Sequence, residues 1–190
     1  MQKILFYVLI LAAFNSFADD KSKDEMMKKW QEFSTPSAEH KFLATMVGNW
    51  TYTQKMWEPG QSKAEEAKGT AKMKMILGGR YLQQDIKGTA MGMPYEGTGL
   101  TGYDNLKKKT VSTWADNMGT SILHGSGTLN IDKKIMSEEG QFTCPMVTDN
   151  TANFRSDWIV NDKNTMTFIM FNKIDGKEHK MMEMIYKRVK

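Results

Sequence analysis

One cysteine and three histidines in 190 residues leave little room for several kinds of chemistry, and arginine, at three, is just as scarce. Cys144 has no partner for an internal disulfide, so stability must come from burial and a hydrogen-bonded backbone rather than a cross-link. It precedes Pro145 and reads as a small buried apolar residue rather than a nucleophile. Arg80, Arg155 and Arg188 are far apart, and the lysines alternate with acids, as in Lys63-Ala64-Glu65-Glu66-Ala67-Lys68. No basic stripe tracks a phosphate backbone, which argues against nucleic acid as a partner. His40, His124 and His179 have no second histidine or cysteine at ligand spacing. There is no Gly-x-Ser-x-Gly elbow, no phosphate-binding glycine loop and no reactive-cysteine context. A flexible Gly/Ser linker, a low-complexity tract and an internal repeat are also missing.

The longest apolar run, Ile4 to Phe14, is too short for a membrane-spanning helix, which needs about 20 such residues. Lys3 precedes it and Ser16-Phe17-Ala18 supplies small residues, so residues 1–18 read as a secretory signal peptide cleaved before Asp19. The expected product is periplasmic or secreted, with no membrane span. Removing the leader takes Lys3 with it and leaves 172 residues carrying 25 basic against 22 acidic side chains. That length suits one domain.

Residues 19–47 form a helical segment. Met26, Trp30 and Phe33 recur at helical spacing, with Asp24 and Glu25 in the first turn, and predict an amphipathic helix over 24–33. Thr35-Pro36 breaks it. Ser37 then caps a second helix whose stripe is Phe42, Leu43, Met46 and Val47, with Gly48 ending it. This second helix is expected to close one end of a β domain beginning at Gly48.

From Gly48 to Lys190 the segments between turn signals are rich in Thr, Tyr, Trp, Ile and Met, and the region reads as an all-β domain of nine or ten strands. In Leu77-Gly78-Gly79-Arg80 the two glycines suit a two-residue primed turn, which places Met75 opposite Leu82 and Met73 opposite Gln84. One face then carries Met73, Met75, Leu77, Leu82 and Ile86 with Arg80 and Gln84, the other Lys72, Lys74, Tyr81, Gln83 and Asp85. The first face is expected to point inward. Further turns are expected at Asp104-Asn105, Asn117-Met118-Gly119, Asp132-Lys133, Asn161 to Asn164 and Asp175-Gly176. So many antiparallel strands protect their edges best by closing into a barrel, which can hold side chains or one small ligand.

Gly48-Asn49-Trp50, Leu77-Gly78-Gly79-Arg80-Tyr81-Leu82, Gly99-Leu100-Thr101-Gly102-Tyr103-Asp104-Asn105 and Trp114-Ala115-Asp116-Asn117-Met118-Gly119-Thr120 together resemble a bacterial family, domain-of-unknown-function family 1579. The first motif is also similar to the Gly-x-Trp element that opens lipocalins. The resemblance implies a calycin-like closed antiparallel barrel and carries no catalytic residues with it. By the same likeness Arg188 could stack on Trp50, with Arg80 as rival partner. Gly48, Trp50, Gly78, Gly79 and Arg188 are therefore read as structural, the indole plugging one barrel end.

An inward Arg80 and Gln84 require polar company, because a buried guanidinium must be paired or hydrated and a buried amide must be bonded. That company is either an internal network with Asp116, Glu96, Tyr103 or a carbonyl, or an anionic or amide-bearing ligand. Ligand-facing candidates are Met73, Met75, Arg80, Leu82, Gln84, Tyr103, Trp114 and Asp116. The 17 methionines include Met73-x-Met75, Met91-Gly-Met93 and Met181-Met182-x-Met184, which raise copper(I) binding against simple core filling. They lack His or Cys partners, so core filling is preferred. His124 or His179 is conceivable as an axial haem ligand. No metal site and no cofactor is assigned.

The preferred reading is an exported barrel that binds a small apolar or amphipathic molecule. It requires a lumen of roughly 300 Å³ or more. The alternatives are a packed barrel that binds an envelope protein, and an enzyme whose acids, such as Asp85, Glu96 and Asp116, meet only in the fold.

Overall fold

The computed structural model describes residues 20–58, 62–174 and 177–190. The leader expected over 1–18 and the turn expected at Asp175-Gly176 lie outside the described residues. The chain separates into two compact units, Met1–Thr35 and Pro36–Lys190.

In the first unit, α1 (Asp20–Ser34) begins a turn earlier than the apolar spacing suggests. Asp20 favours that start, since a carboxylate in the first turn complements the helix dipole. Trp30 and Phe33 meet on one face with ring centroids 5.7 Å apart.

In the second unit, α2 (Ala38–Ala44) follows Ser37, whose N–H donates to His40 Nδ1 at 2.9 Å while its hydroxyl donates to Glu39 at 2.6 Å. The helix stops at Ala44, short of Gly48, because Thr45, Met46 and Val47 bond back three residues rather than four. Met46 is nonetheless buried, whereas Val47 turns outward and leaves the stripe.

Ten strands complete the unit: β1 (Gly48–Met56), β2 (Glu65–Ile76), β3 (Tyr81–Ala90), β4 (Met93–Asp104), β5 (Lys109–Asp116), β6 (Leu123–Asn130), β7 (Ile135–Thr143), β8 (Thr151–Asp162), β9 (Thr165–Ile174) and β10 (Lys177–Arg188). Each pairs antiparallel with its sequence neighbours, and β1 pairs with β10, so the sheet is a closed barrel without edges. Bulges interrupt the register at Lys180/Met182 and Val160/Asp162.

The expected register at the double-glycine bend holds, with Met75 opposite Leu82 and Met73 opposite Gln84. The last pair is Ile76 with Tyr81, so the turn has four residues and not two. Leu77, Gly78 and Gly79 all have positive φ, at 49°, 67° and 84°, which takes the chain out of the pleat. Leu77 and Arg80 are therefore in the turn instead of facing inward, and this corrects their assignment to the inner face. The bends at Met91-Gly92 and over residues 144–150 carry no sequence expectation, and Cys144 is half-buried rather than fully enclosed.

Antiparallel order puts the turns after β2, β4, β6 and β8 at one end, together with α2 and the end of β10. That end is closed by a packed cluster including Leu43, Met46, Trp50, Met73, Met136 and Met166. The other end is the mouth. Among the described residues no helix is long and apolar enough to cross a membrane.

Candidate functional site

The closed end is held by one arginine. Arg188 lies 4.0 Å above the Trp50 ring centroid and donates to the carbonyls of Val47, Thr45 (3.0 Å) and Lys163 (2.7 Å). Trp50 donates its indole N–H to the Met46 carbonyl at 3.0 Å. One guanidinium thus ties the end of α2, the start of β1 and the β8–β9 turn. Gly48 fits beneath it because its φ is 149° and a Cβ there would lie 2.2 Å from the guanidinium. Arg80 takes no part in the stack and donates to the Leu77 carbonyl at 3.1 Å.

Above this plug the inner wall is paved with glycine. Tyr52 lies over the paired Gly69 and Gly88, where an added Cβ would come within 2.4 and 2.3 Å of its hydroxyl. Trp114 covers Gly97 and Gly99 in the same way, at 2.3 and 2.7 Å. Tyr95, Trp114, Leu129, Trp158, Phe168 and Met182 are turned toward the interior, pack against the core cluster and are only partly buried.

Polar groups ring this space. Tyr95 and Trp114 both donate to Asp116 Oδ2, at 3.0 and 2.9 Å. Burial first, and the Asp116 charge second, push the Tyr95 phenol above its ordinary value, so it remains a donor. Gln84 donates to Tyr186 at 3.1 Å, and burial likewise raises the Tyr186 phenol. Glu138 faces Ser112, which donates to it at 2.7 Å, but Glu138 Oε1 has no protein partner. Burial raises the Glu138 carboxyl, and hydroxyls of Ser112 and Thr110 offset this only in part. Tyr52 Oη and Asn172 Oδ1 are also buried without a protein partner.

Of the ligand-facing candidates, the fold brings Gln84, Trp114 and Asp116 to this belt. Met73 and Leu82 are sealed in the closed-end cluster and Met75 packs against it. Tyr103 meets His40 edge-on beneath α2, centroids 6.2 Å apart. Arg80 is in the outer turn. Gly78 and Gly79 lie in that turn with positive φ. Sequence reasoning missed Tyr52, Tyr95, Thr110, Glu138, Asn172 and Tyr186. Alternation along Ile135 to Glu139 held the signal for Glu138, which shares a face with Met136.

The three acids considered for catalysis do not converge. Asp85 accepts from Gln83 and Thr98 on the outer surface, and Glu96 pairs with Lys87 there at 2.9 Å. Asp116 and Glu138 both face inward, but their β5 contacts, Trp114 and Ser112, are successive inner positions, and no hydrogen bond joins them. Met73, Met136, Met166 and Met184 fill the core, while Met91 and Met93 are exposed at the mouth. His124 is exposed on the outer face, and His179 is exposed on β10 opposite Asn172. Among the described residues no cluster of three or more His, Cys, Asp or Glu could hold a metal ion. At the mouth a recess of about 1040 Å³ opens between the β1–β2 loop and the β3–β4 turn, lined by Gln54, Met56, Trp57, Ala67, Thr89 and Met91 among others.

A family described as "Protein of unknown function (DUF1579)" matches residues 35–188. The chain belongs to this family. Its match covers α2 and the whole barrel, and the bacterial resemblance drawn from the four motifs holds. No curated protein matches the chain. Among solved structures, Rv2717c from M. tuberculosis is similar in fold, with 12% identity over 82% of this chain and 100% of that one and a TM-score of 0.62. A redesigned β barrel is more distant, at 11% identity over 81% of this chain and 100% of that one and a TM-score of 0.45. At such identities the first likeness concerns the fold alone.

Proposed function

We propose that this protein is an exported barrel that reversibly binds a small amphipathic molecule, taken in through the mouth. The observation that carries this reading is a polar barrel interior in which Tyr52, Glu138 and Asn172 each keep a buried polar atom without a protein partner. The large majority of buried side-chain polar atoms in folded proteins have a hydrogen-bond partner, from protein or ordered water. Three such groups in one barrel interior are costly unless water or a guest supplies partners, and a guest with a polar end can displace that water. All of these atoms are acceptors or hydroxyls, so the guest's polar end would donate hydrogen bonds. Phe168, Trp158 and Met182 offer the apolar contact for its body.

A native mass spectrum of the protein purified from its own cells, followed by organic extraction, tests this. The expected result is a bound species with a hydrogen-bond donor and an apolar portion, lost when Glu138→Leu and Asn172→Leu remove two acceptors. Clean apo protein whose melting temperature responds to no compound in a broad panel of amphipathic molecules would sink the proposal.

A further inference from the structure

We propose that the closed end of the barrel docks on an anionic lipid surface. Three successive turns at that end, 77–80, 105–108 and 131–134, lie two strands, roughly 10 Å, apart round the rim. Each projects an aliphatic side chain into solvent: Leu77 is 67% exposed, Leu106 63% and Ile131 39%. Beside them stand Lys107, Lys108, Lys109, Lys133 and Lys134, all exposed and in none of the ion pairs among the described residues. The nearby acids are Asp104, Asp132 and Glu39 of α2; Asp104 is engaged by the N–H groups of Leu106 and Lys107, and Glu39 accepts from Ser37 and feels the Lys108 charge.

The backbone adds an independent observation. Leu77, Lys108 and Lys134 have φ of 49°, 54° and 56°, a left-handed conformation that glycine or asparagine adopts at lower cost. Local preference is thus overridden where Leu77 opens its turn and where Lys108 and Lys134 close theirs, and at the mouth only Met91 among aliphatic or cationic residues does the same. Such violations concentrate where a protein meets something else.

The occupant is set by the combination. Aliphatic tips enter the headgroup boundary of a bilayer while lysines beside them reach phosphate. An acidic polypeptide would use the lysines without requiring the aliphatic tips, and a neutral apolar partner would not require the lysines. Three of the mouth's connections, at 91–92, 117–122 and 144–150, make the contrast, exposing Met91, Ile122 and Met146 with no lysine or arginine; the β1–β2 loop there carries the single exposed Lys63. Docking by the closed end leaves that mouth facing the aqueous phase, and it does not depend on what the lumen holds.

Sedimentation of the full chain with phosphatidylglycerol-containing vesicles and with pure phosphatidylcholine vesicles tests this. Binding to the first alone, weakened by salt, is expected. The pairs Lys107→Gln/Lys108→Asn and Lys133→Gln/Lys134→Asn should each weaken it about 25-fold, at about fivefold per lysine. Leu77→Asn/Leu106→Ser should weaken it roughly tenfold without changing the salt dependence. These replacements suit the turns, so melting temperatures should match the parent. Ile122→Ser/Met146→Ser should bind as the parent does. Equal binding to both vesicle types, no binding at low salt, or an equal loss in the mouth variant would each overturn the proposal. So would poly-glutamate binding as tight as vesicle binding and indifferent to Leu77 and Leu106, which would make an acidic polypeptide the partner.

Discussion

Replacing Arg188 should loosen the closed end more than any other single surface-reaching change, and the size of the effect can be worked from its contacts. The guanidinium donates to three carbonyls, those of Thr45, Val47 and Lys163, and covers Trp50 at 4.0 Å. Because Arg188 is half-buried, each hydrogen bond is counted at about 1 kcal/mol. The cation–π contact adds about 1 kcal/mol. Arg188→Ala should therefore cost about 4 kcal/mol, a fall in melting temperature of about 8–16 °C at about 2–4 °C per kcal/mol for a domain of this size. Arg188→Lys keeps the charge but loses the plane and the fork, and should cost about 2–3 kcal/mol. Urea and thermal unfolding followed by circular dichroism supply the numbers. A double-mutant cycle with Trp50→Leu isolates the stack and should return about 1 kcal/mol of coupling. A loss below about 1 kcal/mol for Arg188→Ala, or additivity within about 0.3 kcal/mol in the cycle, would refute the clasp.

Glu138→Gln should raise stability at pH 8 by about 1 kcal/mol and leave it unchanged near pH 4, because burial raises the folded-state pKa and the cost of ionising the group grows as pH climbs past the unfolded value of about 4.3; an equal effect at both pH values would contradict this. Neutral His40 accepts the Ser37 N–H, and burial lowers its pKa, so its contribution is complete above about pH 6.5 and is lost as pH falls. His40→Gln should flatten the melting-temperature profile between about pH 6.5 and 5, and an unchanged slope there would show that another group titrates. Gly97→Ala places a methyl 2.3 Å from the Trp114 ring, so it should cost about 1–3 kcal/mol and shift the Trp114 indole N–H resonance by breaking its bond to Asp116. An unmoved resonance would mean that the ring does not lie against the wall.

Strand parity was legible because a period of two survives errors in turn length. The bend at Gly78-Gly79 gives the same Met75–Leu82 register whether two residues or four turn the corner, so Met73, Leu82 and Gln84 fall on the inner face either way. What alternation alone does not reveal is where the pleat stops, and Leu77 and Arg80 fell on the wrong side of that boundary. Arg188 was recognisable only through the family resemblance, since its acceptors Thr45 and Val47 lie more than 140 positions away in the chain. Glu138 was hidden for a different reason. Glu138-Glu139 resembles a solvated acidic pair until Met136 fixes which of the two shares its face.

The distribution of satisfied and unsatisfied groups along the barrel axis separates stability from function. At the closed end Trp50 is 1% exposed with its N–H bonded, and Arg188 answers three otherwise open carbonyls. Above it, Glu138 and Tyr52 hold buried oxygens that apolar replacements of similar volume would leave more stable. A sequence under pressure for stability alone would have filled those positions with Leu and Phe, as it filled the level below with Met136, Met166 and Leu82. Tyr52→Phe discriminates here. If the hydroxyl serves only the fold, its removal leaves stability unchanged or improved and nothing else happens; if it meets a guest, the same variant keeps its melting temperature as apo protein and loses the bound species from the native mass spectrum.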